Sequence, residues 1–237
     1  MAQPIYLTRT LLACPDTIAI AAVNRQCDAD YFASNVTGAT WTLTTSTITN
    51  GMAHQVTIRN DSITDHSAKT AIITGFYGKH PITETVSLPG TSLTIKSTKY
   101  FSEITTIVPS ATIGADTMDI GICEISITTL IKNNWSGDNQ GICTTVTLAE
   151  QAEIDYTIQF TRSKIEPYSY THRTNCYTGL YDTWNWFNFD DTDVVNATTS
   201  TSTNVQECPN AFRWLINSYT DNTTPVIDIE INQIDNI

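Results

Sequence analysis

Four histidines, six cysteines, a run of aspartates and a dense aromatic tract are the parts of this 237-residue chain that could do chemistry. The histidines, at 54, 66, 80 and 172, are scattered. His66 stands beside Asp65, and such a pair can enter a metal site. One imidazole and one carboxylate make too few ligands, so a solvated turn is the better reading. Asp190, Asp191 and Asp193 offer the oxygen ligands that calcium prefers. They lack the sharp glycine turn and distal bidentate glutamate of a calcium loop, so they read as an exposed acidic turn. No pair among the acids is marked out for glycoside hydrolysis. Nucleophile-elbow, phosphate-loop, dinucleotide-binding and zinc-protease signatures are all missing from the sequence. The expectation is a protein that is not an enzyme and uses no metal and no cofactor.

The cysteines fall by order into Cys14/Cys27, Cys123/Cys143 and Cys176/Cys208. Order does not decide among the possible connectivities. No C-x-x-C occurs, which argues against structural zinc and a thioredoxin-like site. The N-terminal residues Met1 to Tyr6 show no basic region ahead of an apolar run. Absence of a secretory signal predicts that most of the cysteines are thiols.

The aromatic tract is the strongest candidate for function. Tyr168, Tyr170, Tyr177, Tyr181, Trp184, Trp186, Phe187 and Phe189 crowd a segment with few charges. Such residues could stack on sugars, but they also dominate cores and protein interfaces. An interface is the favoured reading.

The elements that must carry these residues are strands. The chain holds 42 threonines and 28 isoleucines, whose β-branched side chains suit a pleated surface. Apolar residues alternate with polar ones at Leu93–Ile95, at Ile154–Phe160 and at Ile227–Ile231. A period of two places each apolar set on one face of a strand. Turn formers separate the runs: Asn50-Gly51, Asn60-Asp61-Ser62, Pro89-Gly90 and Pro109-Ser110. Strands are predicted at Gln55–Arg59, Thr83–Leu88, Ser92–Lys96 and Tyr100–Val108. Short helical pieces are predicted only near Asp28–Ser34 and Leu148–Glu153. The expected fold is all-β, with two antiparallel β-sandwich-like modules, long loops and little helix. The polar tract from Lys132 to Gly141 suggests a first module at 1–131, a linker at 132–143 and an aromatic-rich module at 144–237.

Charge narrows the partners. Twelve basic residues face 24 acidic ones, for a net charge of −12. Nucleic acid and anionic membranes call for a basic footprint, so neither is expected as a partner. No stretch is long and apolar enough for a transmembrane helix.

The stretch from Thr40 to Gly121 carries an ordered series: His54-Gln55-Val56-Thr57-Ile58, the turn Asn60-Asp61-Ser62, Thr70 to Gly75, Thr83-Glu84-Thr85-Val86, Pro89-Gly90, then Ser97-Thr98-Lys99-Tyr100-Phe101 with Ile104 and Ile107. It resembles a family of small all-β virion proteins of tailed bacteriophages. The last third, with Trp186-Phe187 and Ala211-Phe212-Arg213-Trp214, is similar to the companion module of those proteins. The tip at Phe76–His80, the frequency of cysteine and the Tyr-rich tract Lys164–Thr183 depart from the family pattern. The resemblance implies a structural protein docked at the head–tail neck or tail, as a collar or fibre-anchoring component. Its partners would be portal, adaptor, tail or major capsid proteins and further copies of itself, in a virion assembled in the host bacterial cytoplasm. A capsid decoration (cement) protein is the alternative role, and a receptor- or carbohydrate-binding tail module the second.

Overall fold

The computed structural model describes residues 5–12, 18–20, 24–128, 131–132, 141–148, 154–161, 186–188, 195–205, 211–219 and 226–234. Among them the regular elements are all strands. In chain order these are β1 (Ile5–Thr10), β2 (Ile18–Ile20), β3 (Asn24–Val36), β4 (Met52–Asn60), β5 (Thr70–Tyr77), β6 (His80–Ser87), β7 (Thr94–Phe101) and β8 (Glu103–Pro109). They continue with β9 (Met118–Thr128), β10 (Ile131–Lys132), β11 (Gly141–Leu148), β12 (Ile154–Thr161), β13 (Phe187–Asn188), β14 (Thr201–Val205), β15 (Ala211–Tyr219) and β16 (Val226–Ile234). The protein is all-β, as its composition predicts.

The chain divides into two units. A central unit comprises Ala13–Ile127, and an outer unit combines Met1–Leu12 with Thr128–Ile237. The sequence division at 131 differs at both ends of the first module. Residues 1–12 join the outer unit because β1 pairs antiparallel with β16, Ile5 opposite Ile231 and Thr10 opposite Val226. Residues 141–143 are not linker. They open β11, which pairs with β16 on one side and β14 on the other.

In the central unit β3 pairs with β2 and β9, and β4 pairs with β7 and β9. A separate three-stranded sheet runs β6-β5-β8. β5 and β6 join through Gly78-Lys79, with Tyr77 opposite His80. Gly78 takes φ 58°, so this two-residue turn is closed by glycine at its first central position without the Asn-Gly tip. Glu84 of β6 ties that sheet to β7 by accepting hydrogen bonds from the Thr98 and Lys99 amides. Phe32, Val56, Ile58, Ile73, Phe101, Ile104 and Ile120 are fully buried here. Each such side chain contributes about 1.5–3 kcal/mol by leaving water.

Three local expectations are corrected. Asp28–Ser34 lies within β3 and is not helical; its register against β9 jumps from Asp28↔Ile122 to Ala33↔Ile120, so extra residues bulge out and erase the period of two. The run Tyr100–Val108 is two strands. Ser102 breaks it by donating its amide and its hydroxyl to the Phe76 carbonyl. Leu93 precedes β7 and points to solvent.

In the outer unit one sheet runs β1-β16-β11-β14, while β12 lies between β13 and β15, with β10 also on β15. Ile227, Ile229 and Ile231 face inward, and Asp228 stays outside. Tyr156, Ile158, Phe212, Trp214 and Ile216 fill the core of this unit. The polar face expected for β12 is partly closed, since Thr157 and Thr161 are buried too.

Candidate interaction surface

Two residues of the aromatic tract, Trp186 and Phe187, fall among the described residues and meet the edge of β12. Tyr168, Tyr170, Tyr177, Tyr181, Trp184 and Phe189 lie outside them, as do Asp190, Asp191, Asp193 and His172. Strand β13 is only two residues long and pairs Phe187 with Phe160 and Asn188 with Gln159. The next strand continues the rows, placing Arg213 opposite Gln159 and Phe212 opposite Phe160. Alternation along each strand then separates two faces.

Phe187 belongs to the apolar row. Its ring centroid is 5.8 Å from that of Phe160, with the planes tilted by 37°. Phe160 and Phe212 are buried, whereas Phe187, on the last strand of this sheet among the described residues, is 50% exposed. The other row is polar. Arg213 lays its guanidinium 4.2 Å from the centre of the Trp186 ring. Its Nε donates to Gln159 Oε1 at 2.8 Å, and Gln159 Nε2 donates to Asn188 Oδ1 at 2.9 Å. A cation over an indole face is held by the ring quadrupole. The chain of donors fixes the guanidinium in plane, so Trp186, Arg213, Gln159 and Asn188 act as one ordered group.

The same face continues along β12 and β15. Asn217 Nδ2 lies 2.9 Å from Asp155 Oδ1 and 3.1 Å from both Thr157 Oγ1 and Asn196 Oδ1. Two amide hydrogens shared among three acceptors keep these side chains in register. Trp186 and Phe187, grouped in the sequence, thus work on opposite faces of β13. Arg213, Gln159, Phe160 and Asn188 complete the two rows. Their only sequence signal is the alternation of β12 and the Phe212-Arg213-Trp214 step.

His66 is buried and not a solvated turn residue. Its Nε2 lies 3.0 Å from Asp116 Oδ2, and Lys69 Nζ lies 3.1 Å from its Nδ1. The ammonium can only donate, so Nδ1 accepts and Nε2–H donates to Asp116. Asp65, the sequence neighbour, instead accepts the Ser67 amide at 2.8 Å. No group of three or more His, Cys, Asp or Glu side chains that could hold a metal occurs among the described residues. Cys27 is disulfide-bonded, which corrects the thiol expectation there. Cys123 is a buried thiol, pushed above the usual thiol range chiefly by burial.

The chain matches no protein-family model, no curated protein and no solved structure.

Proposed function

We propose that the protein is a non-enzymatic structural component of a tailed-phage virion, docking on the neck or tail through the β13 edge of its outer unit. The observation that carries the docking role is the half-exposed Phe187, packed on Phe160 beside the Arg213–Trp186 stack. Aromatic and arginine side chains on a rigid base are the types that dominate interface energetics. The virion assignment is supported by the resemblance of the strand series from His54 to Ile107. Further copies of the chain, or portal, adaptor and tail proteins, are the proposed neighbours; a capsid decoration role uses the same chemistry with the major capsid protein. Phe187→Ala and Trp186→Ala, measured by mass spectrometry of purified particles, test it. The docking reading expects particles that lack the protein.

A second reading, a carbohydrate-binding tail module, is favoured by the row Trp186, Arg213, Gln159 and Asn188, because sugars take an aromatic face with amide and guanidinium donors. It expects normal incorporation of the Trp186→Ala chain with lost adsorption to the host. That outcome would replace the docking reading.

A further inference from the structure

At one place in the central unit two loops are locked together by a single buried side chain. Asn60, fully buried, donates its Nδ2 to the carbonyls of Thr64 at 2.8 Å and Gly90 at 2.9 Å. Its Oδ1 accepts the Ser62 amide at 2.9 Å and the Ser62 hydroxyl at 2.8 Å. Its backbone amide donates to the Leu93 carbonyl at 2.9 Å. The loops also bond directly. The Ser92 amide donates to the Ser62 carbonyl at 3.1 Å, and Thr91 Oγ1 donates to the Ile63 carbonyl at 3.2 Å. Ser92 is held at φ 52°, a left-handed conformation that serine seldom takes.

Leu88 and Pro89 of the second loop are buried, but the aliphatics at the tip of the two loops are not. Ile63 is 89% exposed and Leu93 is 59% exposed. Scattered exposed aliphatics are ordinary. Here two of them stand on adjoining loops, fixed by the same network, with the entropy of ordering already spent before any partner arrives. The surrounding charge is acidic. Asp61 and Asp65 bracket Ile63 in the chain, and both are exposed. Arg59 Nε partly balances Asp61 at 2.7 Å. The Asp65 carboxyl is held below the usual carboxylate range by the Ser67 amide and hydroxyl, so it stays ionised.

We propose that the Ile63–Leu93 tip is a docking knob for an apolar pocket rimmed by lysine or arginine on a different protein. Charge makes the choice. A two-fold contact with a second copy would bring aspartates against aspartates, and any other contact between copies works against a net charge of −12 on each. An anionic lipid surface repels the same carboxylates. A basic rim around an apolar pocket satisfies both the aliphatics and the aspartates. The knob belongs to the unit Ala13–Ile127, which does not contain β13, and needs no assumption about virions.

The test places the photo-crosslinking residue p-benzoylphenylalanine at position 63 of the full-length chain, irradiated in an extract of the producing cells. One discrete partner is expected, and its cross-linked peptide should carry apolar residues beside Lys or Arg. The adduct should fall about tenfold or more with Leu93→Asp, the size of loss a hot-spot residue gives. It should also fall as salt rises from ~0.01 to ~1 M and the screening length shrinks. The reciprocal pair, with the crosslinker at 93 and Ile63→Asp, guards against misfolding of the first variant; both chains should melt as the parent does. Adducts with a second copy, with lipid or with no discrete partner overturn the proposal, as does an adduct indifferent to salt and to both Asp variants. The β13 reading is read by incorporation into particles and this one by the adduct at position 63, so failure of one is distinguishable from failure of the other.

Discussion

His54 Nδ1 donates across the sheet to the carbonyl of Cys123 at 2.9 Å, while its Nε2 accepts from Asn50 Nδ2 at 3.2 Å. Both ring nitrogens are thus used by the neutral imidazole. Burial is the main reason its pKa falls to about 4 from 6.5, against a smaller opposing effect of the Cys123 carbonyl. The folded pKa lies below the unfolded one, so His54 contributes its full stability above about pH 6.5. That contribution is lost as pH falls toward 4, where the unfolded state binds a proton that the folded state refuses. The loss is about 3 kcal/mol. Urea midpoints measured from pH 7 to pH 4 should fall in the parent, and His54→Gln should flatten that slope while lowering the midpoint at pH 7.

A second prediction concerns Gly75, where the register of β5 against β8 shifts after Thr74. A Cβ there would fall on the Glu103 carbonyl oxygen, a backbone atom that cannot swing aside. Gly75→Ala should cost about 1–3 kcal/mol or more, as overpacking does. Chemical denaturation reads the loss, and an unchanged midpoint would contradict this packing.

The cysteines make a third test. Cys123 is a buried thiol and Cys27 is disulfide-bonded. Alkylation mapped by peptide mass should miss Cys123 in the folded protein and find it at the denaturant midpoint of global unfolding. Cys27 should label only after reduction. Reduction should lower stability by about 2–4 kcal/mol.

Asn60 gives a fourth. Asn60→Ala removes the side chain that satisfies the Thr64 and Gly90 carbonyls and the Ser62 amide. Thr64 is exposed and Ser62 and Gly90 are half-buried, so water replaces part of the lost bonding and the cost should be about 1–3 kcal/mol in all. Hydrogen exchange should speed up at Ser62 and Ser92, with β12 and β15 unaffected.

Much of the fold is legible because alternation is a local property. Ile227, Ile229 and Ile231 announce β16, and Ile154 to Phe160 announce β12. Bulges defeat the same logic: the seven residues from Asp28 read as helix because β3 does not keep its period there. Long-range pairing leaves no local trace, so nothing near Ile5 reveals that its partner is Ile231. The candidate surface shares that limit. Trp186 is visible as an aromatic, but its contact with Arg213 depends on the registers of β13 on β12 and β12 on β15. Asn60 looks in sequence like one more turn former; only its burial between two loops marks it out.

The hydrogen bond from Thr8 to Asp228 spans 220 residues. On the ribosome, at roughly 5–20 residues per second, β1 therefore waits about 10–40 s for the strand it pairs with. The central unit is one continuous stretch and can close its ladders while the rest is still being made. Throughout that interval β1 offers an open edge, and an open edge is a template for another chain. Neighbouring nascent copies on a crowded messenger would meet first through this strand, so translation speed bears on how much of the protein emerges correctly paired.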